Sequence, residues 1–330
     1  MGLRFVGETD SSESALARLV GASAAMQKLR EEIVCAARGH GCVLIQGETG
    51  VGKELVARAI HAFHGRGPFQ AVNCGTLGEL AESQLFGHAR GAFTSAVRSV
   101  RGALEQAGDG VLFLDEIGDL PRAAQVKLVR AIEGQRFQAL ADEKWLALRA
   151  RLVAASHVDL EAAMAEGHFR DDLFYRLAVH VIHVPPLRDR LEDLPALVPA
   201  LLQRLPRPKR MTEDAVAALT RQRWPGNVRQ LAGFLERLAV RTDDDTIGAE
   251  DVLAVEQASF GSSRPPLLAG PAKVQVALPL GQFDAEMDAH ALGLIERALE
   301  DAGGNVTEAS RRLGVDRMVI VRRMQKQRRR

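Results

Sequence analysis

The chain has 330 residues, 46% hydrophobic and 26% charged, with a formal net charge of +1, a balance that suits a folded protein with a sizeable core and room for two or three domains. Cys35, Cys42 and Cys74 show neither CxxC spacing nor a neighbouring histidine cluster, which argues against a zinc site or a disulfide framework and fits a reducing compartment. The chain has no basic-then-apolar signal start and no run of roughly 18 apolar residues, so a soluble, cytoplasmic protein without a membrane span is expected.

The first 18 residues read as a tail too short for a sensory domain. Over residues 19–184, short apolar runs alternate with helical patterns such as residues 53–63. The runs are Cys42-Val43-Leu44-Ile45, Val111-Leu112-Phe113-Leu114, Arg151-Leu152-Val153-Ala154 and Val179-His180-Val181-Ile182. This alternation predicts an α/β unit, a parallel sheet with helices on both faces. After Pro185-Pro186 the pattern turns helical over 194–205, 212–221 and 227–241, the last preceded by the turn Trp224-Pro225-Gly226. A small all-α subdomain over 185–256 follows. Residues 257–282, rich in Gly, Ser and Pro, read as a linker without regular helix, and residues 283–330 as a compact helical domain.

The segment Gly47-Glu48-Thr49-Gly50-Val51-Gly52-Lys53-Glu54 follows an apolar strand and opens a helix. In that setting glycines let backbone N–H groups converge on phosphate oxygens at a helix N-terminus, and Lys53 adds a charge for the β- and γ-phosphates. Glu54 stands where a serine or threonine commonly holds magnesium. A second strand, Val111-Leu112-Phe113-Leu114, delivers Asp115 and Glu116 at its end. Asp115 is expected to hold Mg2+ with ATP, and Glu116 to polarise the attacking water.

Together these segments resemble the AAA+ ATPases of bacterial enhancer-binding proteins, the sigma-54-dependent transcriptional activators of the NtrC type. The similarity covers residues 19–330. Glu54 after the P-loop lysine and the run Leu114-Asp115-Glu116-Ile117-Gly118-Asp119-Leu120-Pro121 are marks of that family. The resemblance implies that Asn73 pairs with Glu116 as a switch, although by itself Asn73 would read as a turn residue. It implies that Arg170 and Arg176 are arginine fingers reaching a neighbouring subunit's γ-phosphate. The bland reading makes them surface arginines paired with Asp171 and Asp172. Trp224-Pro225-Gly226-Asn227-Val228-Arg229 is similar to the sensor II helix and places Arg229 over the phosphates. The sensor I position falls on His157, which reads equally as a plain strand-end histidine.

Residues 82–96 align with the family loop ending in GAFTGA, here Gly91-Ala92-Phe93-Thr94-Ser95-Ala96. The resemblance makes this the contact with sigma-54, with Phe93 and Thr94 touching the sigma factor. Ser95 replaces a glycine, and serine resists backbone angles that glycine accepts. The alternative reading is therefore a DNA-binding regulator with the AAA+ fold that no longer engages sigma-54. At the C-terminus, residues 303–324 read as a helix-turn-helix similar to the family's Fis-type domain, with Asp316 capping the last helix. Arg317, Arg322 and Arg323 are its candidate base contacts amid a basic excess suited to phosphate. The expected whole is a homo-oligomer, from dimer to hexameric ring, that binds upstream enhancer DNA and spends ATP on remodelling sigma-54 RNA polymerase holoenzyme. Its short N-terminus points to a regulatory partner protein or to expression level as the source of control.

Overall fold

The computed structural model describes residues 12–259 except 94, 95 and 243. The expected linker beyond residue 259 and the helix-turn-helix with Arg317, Arg322 and Arg323 lie outside the described residues.

Five parallel strands form the central sheet: β1 (Val43–Gln46), β2 (Phe69–Asn73), β3 (Val111–Asp115), β4 (Arg151–Ser156) and β5 (His180–His183), in the spatial order β2-β3-β4-β1-β5. The inner strands read as continuous apolar runs because both faces are covered. Leu44, Leu112, Leu114, Leu152 and Ala154 enter one core, and Val43, Ile45, Val111, Phe113, Val153 and Ala155 enter the other. This is the two-residue period of a pleated strand serving two layers. Helices α1 (Ala24–Arg38) and α2 (Lys53–His64) cover the second face through Met26, Leu29, Ile33, Val56 and Ile60. The other face is covered by α3 (Arg122–Gly134) and α4 (Asp171–Leu177), with Leu128, Leu173 and Leu177. Each such side chain, when fully buried, contributes about 1.5–3 kcal/mol.

Three expectations change. The edge strand β2 joins the sheet although its residues did not read as a strand, and its register sets Asn73 beside Asp115. The segment Ser12–Ala17 is helical, and Ala15 and Leu19 are buried in the core, so the last part of the supposed tail belongs to the body. The last helix continues to Ser259, three residues into the expected linker, because Gln257, Ala258 and Ser259 lack the Gly and Pro that break a helix.

After the sheet come α5 (Leu194–Leu202), α6 (Glu213–Thr220), α7 (Asn227–Arg241) and α8 (Ala249–Ser259), with a short parallel pairing of Arg210–Met211 and Thr246–Ile247. Their apolar faces share one core that includes Leu197, Leu219, Trp224, Phe234 and Val252. Trp224 fixes the entry to α7: its ring meets Phe234 edge-on at 5.6 Å and its Nε1 donates to Leu219 O at 3.1 Å. Thr212 caps α6 by accepting from Ala215 N.

Candidate functional site

The loop between β1 and α2 curls because its glycines accept conformations closed to other residues. Gly50 has φ 81 and Gly52, the residue before α2, has φ 106. Gly47 N donates to Ser156 O on β4 at 3.2 Å, anchoring the loop to the sheet. On its other side the loop meets backbone from the helical subdomain, and a Cβ at Gly50 would lie 2.4 Å from Gly226 O. Lys53 is only 9% exposed, and its Nζ donates to Gly47 O at 2.7 Å and Glu48 O at 3.0 Å. Burial depresses its pKa, the charges of Asp115 and Glu116 oppose that, and Arg229 depresses it further. A buried ammonium held by neutral carbonyls beside a helix N-terminus fits an anionic polyphosphate.

Asp115 ends β3, with Oδ1 accepting from Glu116 N at 3.0 Å. Burial raises its pKa, while that hydrogen bond and Lys53 pull it down. Glu54 is held on the surface of α2 by Arg58, at 2.9 and 2.7 Å. Among the described residues no group of three or more His, Cys, Asp or Glu is placed to hold a metal. Asp115 at the end of β3, facing Lys53, offers a carboxylate oxygen of the kind Mg2+ takes as a ligand.

Glu116 sits at φ 53, a left-handed conformation that costs a non-glycine residue energy and recurs at functional sites. Its side chain points toward Gly75, where a Cβ would lie 2.7 Å from Glu116 Oε2, 3.1 Å from Asp119 Oδ2 and 3.3 Å from Asn73 Oδ1. Asn73 and Glu116 thus both lie beside Gly75, but no hydrogen bond joins them, and the buried Asn73 Oδ1 has no partner. Cys74, beside them, has its thiol pKa pushed up to about 12, chiefly by burial and then by the carboxylates of Asp115, Asp119 and Glu116.

His157 is exposed at the bend after β4, and Ser156 is the residue there that touches the loop. Arg229 reaches the cradle with its backbone as well as its charge, donating to Gly50 O at 3.2 Å. Arg170 and Arg176 do not bond the loop. Arg170 holds Asp172 at 2.9 and 2.7 Å, as the surface reading had it, whereas Arg176 holds Glu133 at 3.0 Å rather than Asp171 or Asp172.

Gly91, Ala92, Phe93 and Ala96 follow the first strand of the antiparallel pair Gly87–His88 and Val100–Arg101 in the chain. Gly91, at φ 81, donates to Ala96 O at 2.8 Å, and Ala96 N donates to Phe93 O at 2.9 Å. Phe93 is half-buried with its ring 4.9 Å from that of His88, whose Nδ1 is 2.8 Å from Ser83 Oγ. Thr94 and Ser95 lie outside the described residues.

Sequence reasoning missed the side chains that join the two subdomains at the cradle. Asn227 lay inside the motif used to place Arg229, yet Asn227 itself bonds Glu48 and Thr49. Arg188, which bonds Glu48, carried no signal in the sequence.

Known proteins match this chain along most of its length. The sigma-54 interaction domain matches residues 19–183, the AAA+ ATPase lid domain 188–263, and the Fis family of bacterial regulatory proteins 293–326. The transcriptional regulatory protein ZraR of Escherichia coli (strain K12) is 40% identical over 330 residues, covering 96% of this chain and 70% of that protein. The response regulator protein PilR of Pseudomonas aeruginosa is 41% identical over 306 residues, covering 90% of this chain and 67% of that protein. The crystal structure of NtrX from Brucella abortus in complex with ATP superposes with TM-score 0.64 at 33% identity, covering 93% of this chain and 68% of that one. The sigma-54 interaction match runs through residues 91–96, so the alternative of a regulator detached from sigma-54 is not favoured. A parallel-sheet body carrying a P-loop, an α-helical lid closed on that loop and a Fis-type helix-turn-helix together place this chain in the family of sigma-54-dependent AAA+ transcriptional activators.

Proposed function

We propose that the chain hydrolyses ATP between two of its own copies and uses the cycle to remodel sigma-54 RNA polymerase bound at a promoter. One observation carries the reading: Lys53, at the start of α2, lies within reach of the charges of Asp115 and Glu116 at the end of β3 and of Arg229 from the lid, whose backbone N–H donates to Gly50 O in the same loop. The roles follow from chemistry. Backbone N–H groups of residues 47–53 and the Lys53 ammonium bind the phosphates, and Asp115 holds Mg2+, which when bound neutralises phosphate charge. Glu116 accepts a proton from the water that attacks the γ-phosphorus as its bond to the bridging oxygen breaks, giving ADP and phosphate. The unpartnered Asn73 Oδ1, near Glu116 Oε2 at Gly75, supports a switch role for this pair, in which a turn of the amide presents Nδ2 to Glu116 and takes the carboxylate off duty.

Arg170 and Arg176 complete a neighbour's site, stabilising charge on the transferring phosphoryl group. Their position at the N-cap of α4 and on its last turn, bonded to Asp172 and Glu133 and not to their own cradle, supports a shared site and hence a homo-oligomer, up to a hexameric ring. The loop at residues 91–96 touches sigma-54 through Phe93 and Thr94. Arg317, Arg322 and Arg323 contact bases in upstream enhancer DNA, and a partner protein supplies regulation in the cytoplasm. No helix among the described residues is long and apolar enough to cross a membrane.

The test is open-complex formation by sigma-54 holoenzyme on a supercoiled promoter template, with the wild-type chain and with Ser95→Gly. ATP-dependent opening by the wild type is expected. Failure of both proteins while ATP is still hydrolysed overturns the coupling to sigma-54.

A further inference from the structure

The P-loop and the lid are joined by side chains that neither phosphate binding nor water activation uses. Glu48 is the second residue of the cradle, and donors from the lid side take both of its carboxylate oxygens. Asn227 Nδ2 donates to Oε2 at 3.0 Å, and Arg188 Nη1 donates to Oε1 at 2.6 Å. The same Asn227 Nδ2 donates to Thr49 O at 3.0 Å, and Asn227 Oδ1 accepts from Leu187 N at 2.7 Å. One amide, 0% exposed, thus ties the cradle, the crossover after β5 and the first residue of α7. Its backbone stands at φ 52, in the left-handed region that asparagine tolerates better than most residues. Glu48 keeps its acid pKa below the ordinary range, first through the Asn227 hydrogen bond and then through that of Arg188, so the bridge binds the carboxylate form. A carboxylate beside a phosphate site is electrostatically adverse unless donors neutralise it, and here both donors come from the lid side. Two residues along, Arg229 N donates to Gly50 O at 3.2 Å.

We propose that Glu48, Asn227 and Arg188 form a latch that docks the first turn of α7 on the P-loop and thereby positions Arg229 toward the phosphates. Asn227 and Arg188 are positioning residues that act through Arg229. The inference rests on the reading of this site as one that binds and hydrolyses ATP.

The test uses the full chain and two readouts, amide hydrogen exchange at Arg229 and the ATPase parameters. Asn227→Asp replaces the Nδ2 donor with a second carboxylate against Glu48. Exchange at Arg229 is expected to quicken about tenfold and KM for ATP to rise about tenfold, with kcat changed less than about threefold. Adding Glu48→Gln restores a donor facing an acceptor and is expected to recover most of both effects. Arg188→Ala, at a side chain 57% exposed, quickens exchange about threefold without threatening the fold. Unchanged exchange at Arg229 in folded Asn227→Asp and Arg188→Ala overturns the latch, as do additive effects in the double variant. If Asn227→Asp does not fold, Arg188→Ala and the double variant decide. A wild type that hydrolyses no ATP sinks the functional reading alone, because the exchange readout still decides the latch.

Discussion

The cradle and the arginine-bearing helix α4 hold charge in opposite ways. At the cradle, Lys53 is 9% exposed and bonded only to loop carbonyls, and burial moves the pKa values of Lys53 and Asp115 away from their charged forms. At α4, Arg170 at the N-cap and Arg176 in the last turn pair with Asp172 and Glu133 of the same chain at partly exposed positions. Surface pairs of this kind are weak and salt-screened, so a stronger anion displaces their acids readily. The difference teaches that the two halves of the proposed catalytic centre are prepared unequally. The cradle is preorganised, with electrostatic strain that bound polyphosphate relieves, while the arginines are provisionally parked and easily redirected.

The sharpest way to break this contrast is Glu116→Gln, which keeps shape and charge-independent contacts but removes the proton acceptor. It is expected to lower kcat about a thousandfold and leave nucleotide affinity within about threefold, read by steady-state hydrolysis and by titration with a fluorescent ATP analogue. A comparable loss of affinity would mean that Glu116 holds the cradle together rather than acting on water. Next in size is a mixing experiment with Lys53→Ala and Arg176→Ala. Each protein alone should lose hydrolysis about a hundredfold or more, and mixing them should restore on the order of a tenth of wild-type activity, because some interfaces then pair an intact cradle with an intact arginine. No recovery on mixing would return the arginines to an ordinary surface role.

A smaller effect tests the strain at the cradle. The folded-state pKa of Asp115 is raised, so the folded chain binds its proton more tightly than the unfolded chain does. Its stability contribution therefore falls as pH rises through that raised pKa and recovers as pH falls. Asp115→Asn, neutral at every pH, should raise Tm by about 2–4 °C near neutrality while abolishing Mg2+-dependent activity, with the gain vanishing in acid. Lys53 has the opposite sign, with stability gained as pH rises through its lowered pKa, so the acid arm of the scan isolates Asp115. Smallest is a labelling contrast. Cys35 is exposed whereas Cys74 is buried with its thiol pushed up to about 12, so iodoacetamide at mildly alkaline pH should modify Cys35 and spare Cys74 until the chain unfolds, as mass spectrometry would show.

How much of this was legible in the sequence depended on whether a local pattern carried the physics. Strands β1, β3 and β4 announced themselves because burial on both faces demands unbroken apolar runs, and the P-loop because strand, glycines and helix follow one another without interruption. Strand β2 did not, since Phe69, Gln70, Ala71, Val72 and Asn73 lie at the sheet edge and are half-buried or exposed. Only its pairing with β3 reveals why Asn73 stands beside Asp115. The family resemblance named Asn73 and Arg229 but not Asn227 or Arg188, whose roles arise from contacts across about 140 to 179 residues of chain. Phe93 read as a contact residue for the sigma factor, and the meeting of its ring with His88, whose Nδ1 lies 2.8 Å from Ser83 Oγ, carried no signal in the sequence.

Gly50 carries one more consequence. Its φ of 81 suits glycine for reasons internal to the loop, but the Gly226 carbonyl 2.4 Å from where a Cβ would stand is a demand made by the lid. The seam between cradle and lid is therefore thinner than a single methyl group. Alanine there would behave like a doorstop, leaving the strand and helix around the loop intact while propping α7 ajar, so an injury to the phosphate loop would register first as a lid that cannot shut.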